Sequence, residues 1–478
     1  MSLKWNYKYY KWSYPHTLVS IKFFSTLLLI TACFSSQANE AELLNQMALF
    51  DSEFHTLSSE FYADKDNYST ASSKVVTNFD EILNQVNILS SDKRYIEAIQ
   101  FIHNNLQLIE KNLDHPEIFP VIELLLEHDE INLANNFYQT ISRDGDDYHL
   151  ATVNLLFARY HTSRYEWKRV VALLESISSE LSEENSAYAL LLQGNALQNI
   201  KLHGQAEESY KKIPVDSIYY RYAQLNLAIT QIRRDWLTSA QITIKQLTQH
   251  SDVTDDEFTN RVYLVLGYAL LNKNYYRSAR EVFRKVSQRS EYANRALLGI
   301  ALCSINQNDL ESALNALTGL KNKDSLELSV DESFLLITYV YEKLGQPESV
   351  IASSTEAMNY YETRIIDLQN INTQLVDLTQ LQFEQNAPVF EINNNTVEYG
   401  KKFPKSFLSN YREILNFAQF NKNALLASKI EKLIASYKAS FELVISELLS
   451  QKISYINSYL DQARYGLARL YDKSGQQN

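Results

Sequence analysis

The chain has 478 residues, 45% of them apolar and 21% charged, so it can bury a large core, and a disordered or low-complexity chain is excluded. Ten glycines and seven prolines are too few for the tight turns of an extended β architecture, which leaves long helices with short connections. A net charge of -12 repels nucleic acid and anionic lipid headgroups at long range and favours a basic or neutral protein partner.

Residues 1–38 contain Lys4, Lys8, Lys11 and Lys22 and no acid, so their loss would take the charge to -16. The apolar run from Phe23 to Ala32 is far shorter than the ~20 residues that span a bilayer. It reads as a cleaved signal segment rather than an anchor. Two exits are open. Ser36-Gln37-Ala38 offers small residues for cleavage before Asn39, whereas Ile30-Thr31-Ala32-Cys33 resembles a bacterial lipobox and would leave a lipidated Cys33. The expected location is the periplasm, free or as a membrane-tethered lipoprotein, with a lipid anchor as the only membrane contact. Cys303 is the only other cysteine, so an intramolecular disulfide would need a retained Cys33. Its apolar surroundings predict an inert buried thiol.

Residues 39–74 read as a helix with Leu43, Leu44, Met47, Phe50 and Phe54 on one side, then a polar joint over Ala63–Ser73. A repeat follows. Its clearest copy runs Tyr263-Leu264-Val265-Leu266-Gly267-Tyr268-Ala269-Leu270, then Asn274-Tyr275-Tyr276, then Ala279 and Phe283. Gly267 and Ala279 would let two antiparallel helices approach closely, with Tyr263, Leu266, Leu270, Tyr276 and Phe283 around the contact. Asn274 falls at the turn and tolerates left-handed geometry.

Taking Gly267 as the reference, equivalent positions are Val86, Ile122, Ala158, Gly194, Ala228, Ala301 and Thr338, spaced by 36, 36, 36, 34, 39, 34 and 37 residues. Twelve residues after each reference the chain has only alanine or valine: Ala98, Ala134, Val170, Ala206, Ala240, Ala279, Ala313 and Val350. Sixteen residues after, seven of eight are large and apolar, from Ile102 to Leu317, with Ser354 the exception. This unit resembles a tetratricopeptide repeat, with Tyr263 at the family's tryptophan position and the final proline missing. The resemblance covers residues 75–362 and implies an all-α solenoid of about eight stacked helical hairpins. At Val86 and Ile122 the larger side chains should hold the helices further apart.

Residues 363–403 are expected to hold the rest of a long helix over Tyr360–Asn386, then a break. There Val389–Ile392 and Thr396–Tyr399 alternate around Asn393-Asn394-Asn395, as a small hairpin or an irregular loop. Residues 404–478 read as a helical hairpin or coiled-coil region, with segments Phe407–Phe420 and Leu425–Tyr437 and a long helix from about Phe441 to Asp472. Leu449, Ile453, Ile456, Leu460, Ala463, Leu467 and Leu470 alternate steps of four and three along one face of it. The simplest cover for that seam is the preceding helix; homo-oligomerisation or a partner helix is the alternative.

No chemical motif emerges. There is no phosphate-binding glycine loop, no H-E-x-x-H and no G-x-S-x-G elbow. His128-Asp129-Glu130 reads as a solvated turn rather than a metal site, and no catalytic residue, cofactor or metal is expected. In an array of the resembling type the first helix of each repeat lines a concave face. The residue after each reference and the one five after place Asn195, Asn199, Arg233, Tyr268, Asn272, Leu302, Asn306, Tyr339 and Lys343 there. Arg261 and Arg295, six before their references, join them. Such a face suits an extended peptide, held by ring packing and backbone hydrogen bonds. The resulting expectation is a non-enzymatic adaptor for protein partners in the envelope. The rival readings are an enzyme or enzyme subunit acting on peptidoglycan or polysaccharide, and a structural homo-oligomer joined through the C-terminal helix.

Overall fold

The computed structural model describes residues 49–175, 181–249, 257–323, 327–371, 389–392, 395–398 and 405–475. The expected signal segment, Cys33 and most of the expected 363–403 region lie outside them. Among the described residues no helix is long and apolar enough to cross a membrane.

Helical residues 49–63 form α1 and lead through a 3-10 turn, Lys65–Asn67, to a run of paired helices. The pairs are α2 (Phe79–Ser91) with α3 (Tyr95–Asn104), then, after the short α4 (Leu106–Glu110), α5 (Phe119–Glu127) with α6 (Ile131–Asp144). They continue as α7 (Asp147–Ser163) with α8 (Trp167–Leu174), α9 (Glu183–Asn199) with α10 (His203–Lys211) and α11 (Tyr220–Arg233) with α12 (Leu237–Gln249). The last three are α13 (Glu257–Asn272) with α14 (Tyr276–Phe283), α15 (Ala293–Asn306) with α16 (Leu310–Lys321) and α17 (Leu328–Lys343) with α18 (Pro347–Gln369). Among the described residues there are eight hairpins, against an expectation of about eight repeats.

Backbone geometry tests that register independently of residue type. Seven residues beyond each reference the chain turns left-handed, at Lys93, Asp129, Tyr165, Lys201, Asp235, Asn274, Asn308 and Gly345, with φ between 58° and 69°. The next residue then donates its N–H to a carbonyl five positions back in all eight, from Arg94 to Leu89 (2.8 Å) through Tyr275 to Leu270 (2.9 Å) to Gln346 to Tyr341 (3.1 Å). This is the Schellman closure that satisfies the last carbonyls of a helix. Every residue twelve after a reference is buried, Val350 being the most exposed at 3%.

Packing within a hairpin is a matter of matched sizes. A Cβ on Gly194 would lie 2.4 Å from the Tyr210 ring, and one on Gly267 would lie 2.4 Å from Phe283. The reference is glycine where the residue sixteen later is a fully buried aromatic. It is alanine opposite Leu174, Ile244 and Leu317. Where Ile122 takes the reference position, Tyr138 is only half buried and its hydroxyl donates to Asn154 (2.9 Å).

The described residues fall into two compact units, one within Ser13–Ala223 and Lys401–Phe441, the other within Gln224–Gly400 and Glu442–Asn478. In the first, α1 is covered by α19 (Lys405–Phe420). Phe417 stacks 4.4 Å from Phe61 and meets Tyr62 edge-on at 5.5 Å, and Tyr437 packs 4.6 Å from Phe407. In the second, Phe283 sits between Gly267 and Gly299 in a core with Val262, Leu266, Ala279 and Cys303. Burial pushes the Cys303 thiol up to about 12, as befits an inert thiol.

Two expectations for the C-terminal part change. The helix expected from Tyr360 is the far half of α18, which begins at Pro347 inside the last hairpin and ends at Gln369; residues 372–388 lie outside the described set. Leu425–Tyr437 and the helix from Phe441 are one element, α20 (Ala424–Gly475), because nothing in Lys438-Ala439-Ser440 breaks it. Beside the seam, α20 reaches α17 and α18. Tyr459 donates to Glu332 (3.1 Å) and its ring lies 5.8 Å from Tyr361, while Arg464 reaches Glu362 (2.8 Å) and Arg469 reaches Glu342. Leu449, Ile456, Leu460 and Ala463 are buried. Strands β1 (Val389–Ile392) and β2 (Asn395–Glu398) pair antiparallel, with Ile392 opposite Asn395.

Candidate partner-binding surface

Each hairpin places its first helix so that the reference residue faces the second helix, which turns the next residue and the one five later away from the core. In the second unit Arg233, Asn272 and Lys343 are exposed, and Arg261, Tyr268, Arg295, Asn306 and Tyr339 are half buried. In the first unit Asn195 is half buried and Asn199 exposed.

The structure gathers part of this set. Tyr268 on α13 donates to the Arg295 carbonyl on α15 (2.8 Å) and meets Phe283 edge-on at 4.9 Å, so it ties neighbouring repeats together. Arg261 and Arg295 both act on Tyr292: burial raises its hydroxyl to about 12 and the two guanidiniums pull it back. Lys343 lies 5.5 Å over the Tyr339 ring. Asn199 and Asn306 each donate to the carbonyl four residues back, Asn195 and Leu302, at 2.8 Å. Those amide hydrogens help close the ends of α9 and α15. The Asn195 side chain accepts from Tyr210 (2.9 Å).

Hairpins of 34 to 39 residues, closed left-handed at one fixed position and packed small-against-large at two others, are tetratricopeptide architecture. The described repeats have the tetratricopeptide fold. No family model matches the chain, and no curated protein matches it. Among solved structures it is similar to the C-terminal part of a TPR repeat-containing protein from Cytophaga hutchinsonii (14% identity, TM-score 0.41, covering 50% of this chain and 94% of that one). It is also similar to the apo form of RapI (12%, 0.42, 75% and 97%). A third is the Rap conjugation gene regulator of the plasmid pLS20 in complex with the Phr* peptide (14%, 0.29, 82% and 96%).

The tetratricopeptide frame also holds a site missed in the sequence. His128-Asp129-Glu130 is a left-handed turn at Asp129, but it is not solvated: Asp129 and Glu130 are 5% and 3% exposed. Asp129 accepts from Arg164 (3.0 Å) and from Tyr160 and lies 3.2 Å from His55 on α1, and Arg164 also grips Asp51. Burial would raise the Asp129 pKa, yet His55 and Arg164 outweigh it and hold the carboxyl below its ordinary value. At Asp51 burial wins over Arg164 and the pKa rises. Glu130 accepts from Ser58 and lies 3.4 Å from His103, and His128 pairs with Glu413 on α19 (2.7 Å). The turn expected to face water is where the repeats are keyed to α1 and α19. Partners up to 285 residues apart left no local pattern to read.

Proposed function

We propose that this protein is a non-enzymatic adaptor of the bacterial envelope that binds protein partners along the first-helix face of its repeats. The observation carrying the reading is the recurrence of aromatic, amide and guanidinium side chains on that face. Arg261, Tyr268, Asn272, Arg295 and Asn306 are exposed or half buried while the packing positions of the same hairpins are closed. Rings and guanidiniums with part of their surface available are what anchor protein interfaces.

The location belongs to the same proposal: residues 1–38 direct export, and the protein is either free in the periplasm or held by a lipidated Cys33. Cross-linking in whole cells with affinity capture should recover a stoichiometric envelope protein, lost when Arg261 and Arg295 are both changed to Glu with the circular dichroism unaltered. Recovery of no such partner would remove the reading. Cys33→Ser should release the protein from membranes if the lipobox is used and change nothing if cleavage follows Ala38.

A further inference from the structure

In the first unit a half-open cavity of about 190 Å³ lies among α5, α7 and α19. A water takes up about 30 Å³, so this space holds roughly six waters or a short alkyl chain with a polar head. We infer that it binds an alkylammonium or alkylguanidinium group.

Charge decides against an anion. Two guanidiniums line the cavity, Arg159 and Arg164, but neither offers its charge to a ligand. Arg164 is shared by Asp51 and Asp129, and Arg159 donates to Glu123 and lies 3.4 Å from Glu127. Four carboxylates thus surround two cations, and the local balance is negative.

The hydroxyls agree. Ser163 spends its hydrogen on the Tyr160 carbonyl (2.7 Å), so toward the cavity it can only accept. Ser406 is 6% exposed, and its buried Oγ has no hydrogen-bond partner among the described residues. A buried hydroxyl left unpaired is costly, and a polar head entering the cavity would relieve it, the hydroxyl accepting from a cation's N–H; the choice of a cation rests on the charge and on Ser163. Glu127, with 57% of its side chain exposed, stands at the open side, where its carboxylate meets an incoming cation. Leu126 and Leu156 complete the wall with surface suited to a methylene stem. In repeat terms Arg159 follows its reference by one and Glu127 and Ser163 by five, the positions of the partner-binding face. The assignment does not rest on the adaptor reading, because a free amine would satisfy it equally.

The test uses the full chain and four probes of one size: n-butylammonium, n-butylguanidinium, butyrate and 1-butanol, followed by ligand-observed NMR. Both cations should bind saturably and weaken with salt. Glu127→Gln should lower their affinity about fivefold or more, the scale of one charge-assisted contact. Ser406→Val should do the same, and Glu127→Gln, at an exposed position, keeps the test decisive if that variant fails to fold. N-acetyl-arginine amide separates the sources: binding as tight as butylguanidinium assigns the site to a partner's side chain, whereas exclusion of it assigns the site to a free amine. Butyrate or butanol binding as well as the cations, or no probe binding at all, would overturn the assignment and leave a water-filled space.

Discussion

Lys201 sits at φ 69° with its side chain exposed, in a conformation that costs an L-residue energy and a glycine almost none. Lys201→Gly should stabilise the first unit by about 1 kcal/mol in chemical denaturation, since no packing is lost. Gly267 makes the opposite case. Its Cβ would collide with Phe283, a ring already pressed on its other side by Gly299, so Gly267→Ala should destabilise by about 1–3 kcal/mol, read as a lower denaturation midpoint. Glu332 carries the pH dependence. Burial raises its pKa to about 7 from 4.5, with the Tyr459 hydrogen bond opposing. The folded state therefore keeps a proton that the unfolded chain has lost, and this contribution is full below pH 4.5 and disappears as pH rises through 7. Glu332→Gln should flatten that fall and make the protein more stable than wild type at pH 8, by about 2 kcal/mol.

Elements were legible where close packing dictates residue size. The alanines from Ala98 to Ala313 and the glycines at 194 and 267 cannot be enlarged without separating two helices, so the chain advertises each crossing. The left-handed residues follow from that spacing; Asn274 and Asp129 were legible as turns, whereas Lys93, Tyr165 and Lys201 carry side chains that do not mark one. The C-terminal helices were less legible because a helix read by its apolar face ends wherever the face changes. Lys438-Ala439-Ser440 interrupts the apolar run between Tyr437 and Phe441, yet the backbone between them never stops being helical. Ala439 is exposed, so Ala439→Pro tests that continuity without disturbing a core. In an unbroken helix it should cost about 3 kcal/mol or more and reduce the helical circular dichroism, whereas a natural joint would absorb it.

At the scale of the molecule, the candidate face could be read from repeat arithmetic, but the roles of its residues could not. Tyr268 proved to be a strut between α13 and α15 and Asn306 part of a helix end, because the same positions that look outward also touch the next hairpin. The Asp51–Arg164–Asp129 network was invisible for a different reason: its members lie on three separate elements and obey no period. That network and the Phe417 cluster share one property. Both join the first unit's repeats to residues beyond Lys401, by Asn410 to Asp51 (3.3 Å) and by Phe417 to Phe61. Synthesis therefore completes all four hairpins of that unit long before their lid exists, and the rings of Phe54, Phe61 and Tyr62 must wait through most of translation for cover. A chain ending at residue 400 should keep much of its helical signal yet bind a hydrophobic dye strongly, whereas the full chain should not. For a polypeptide made from its N-terminus onward, a closing piece made last is a built-in delay.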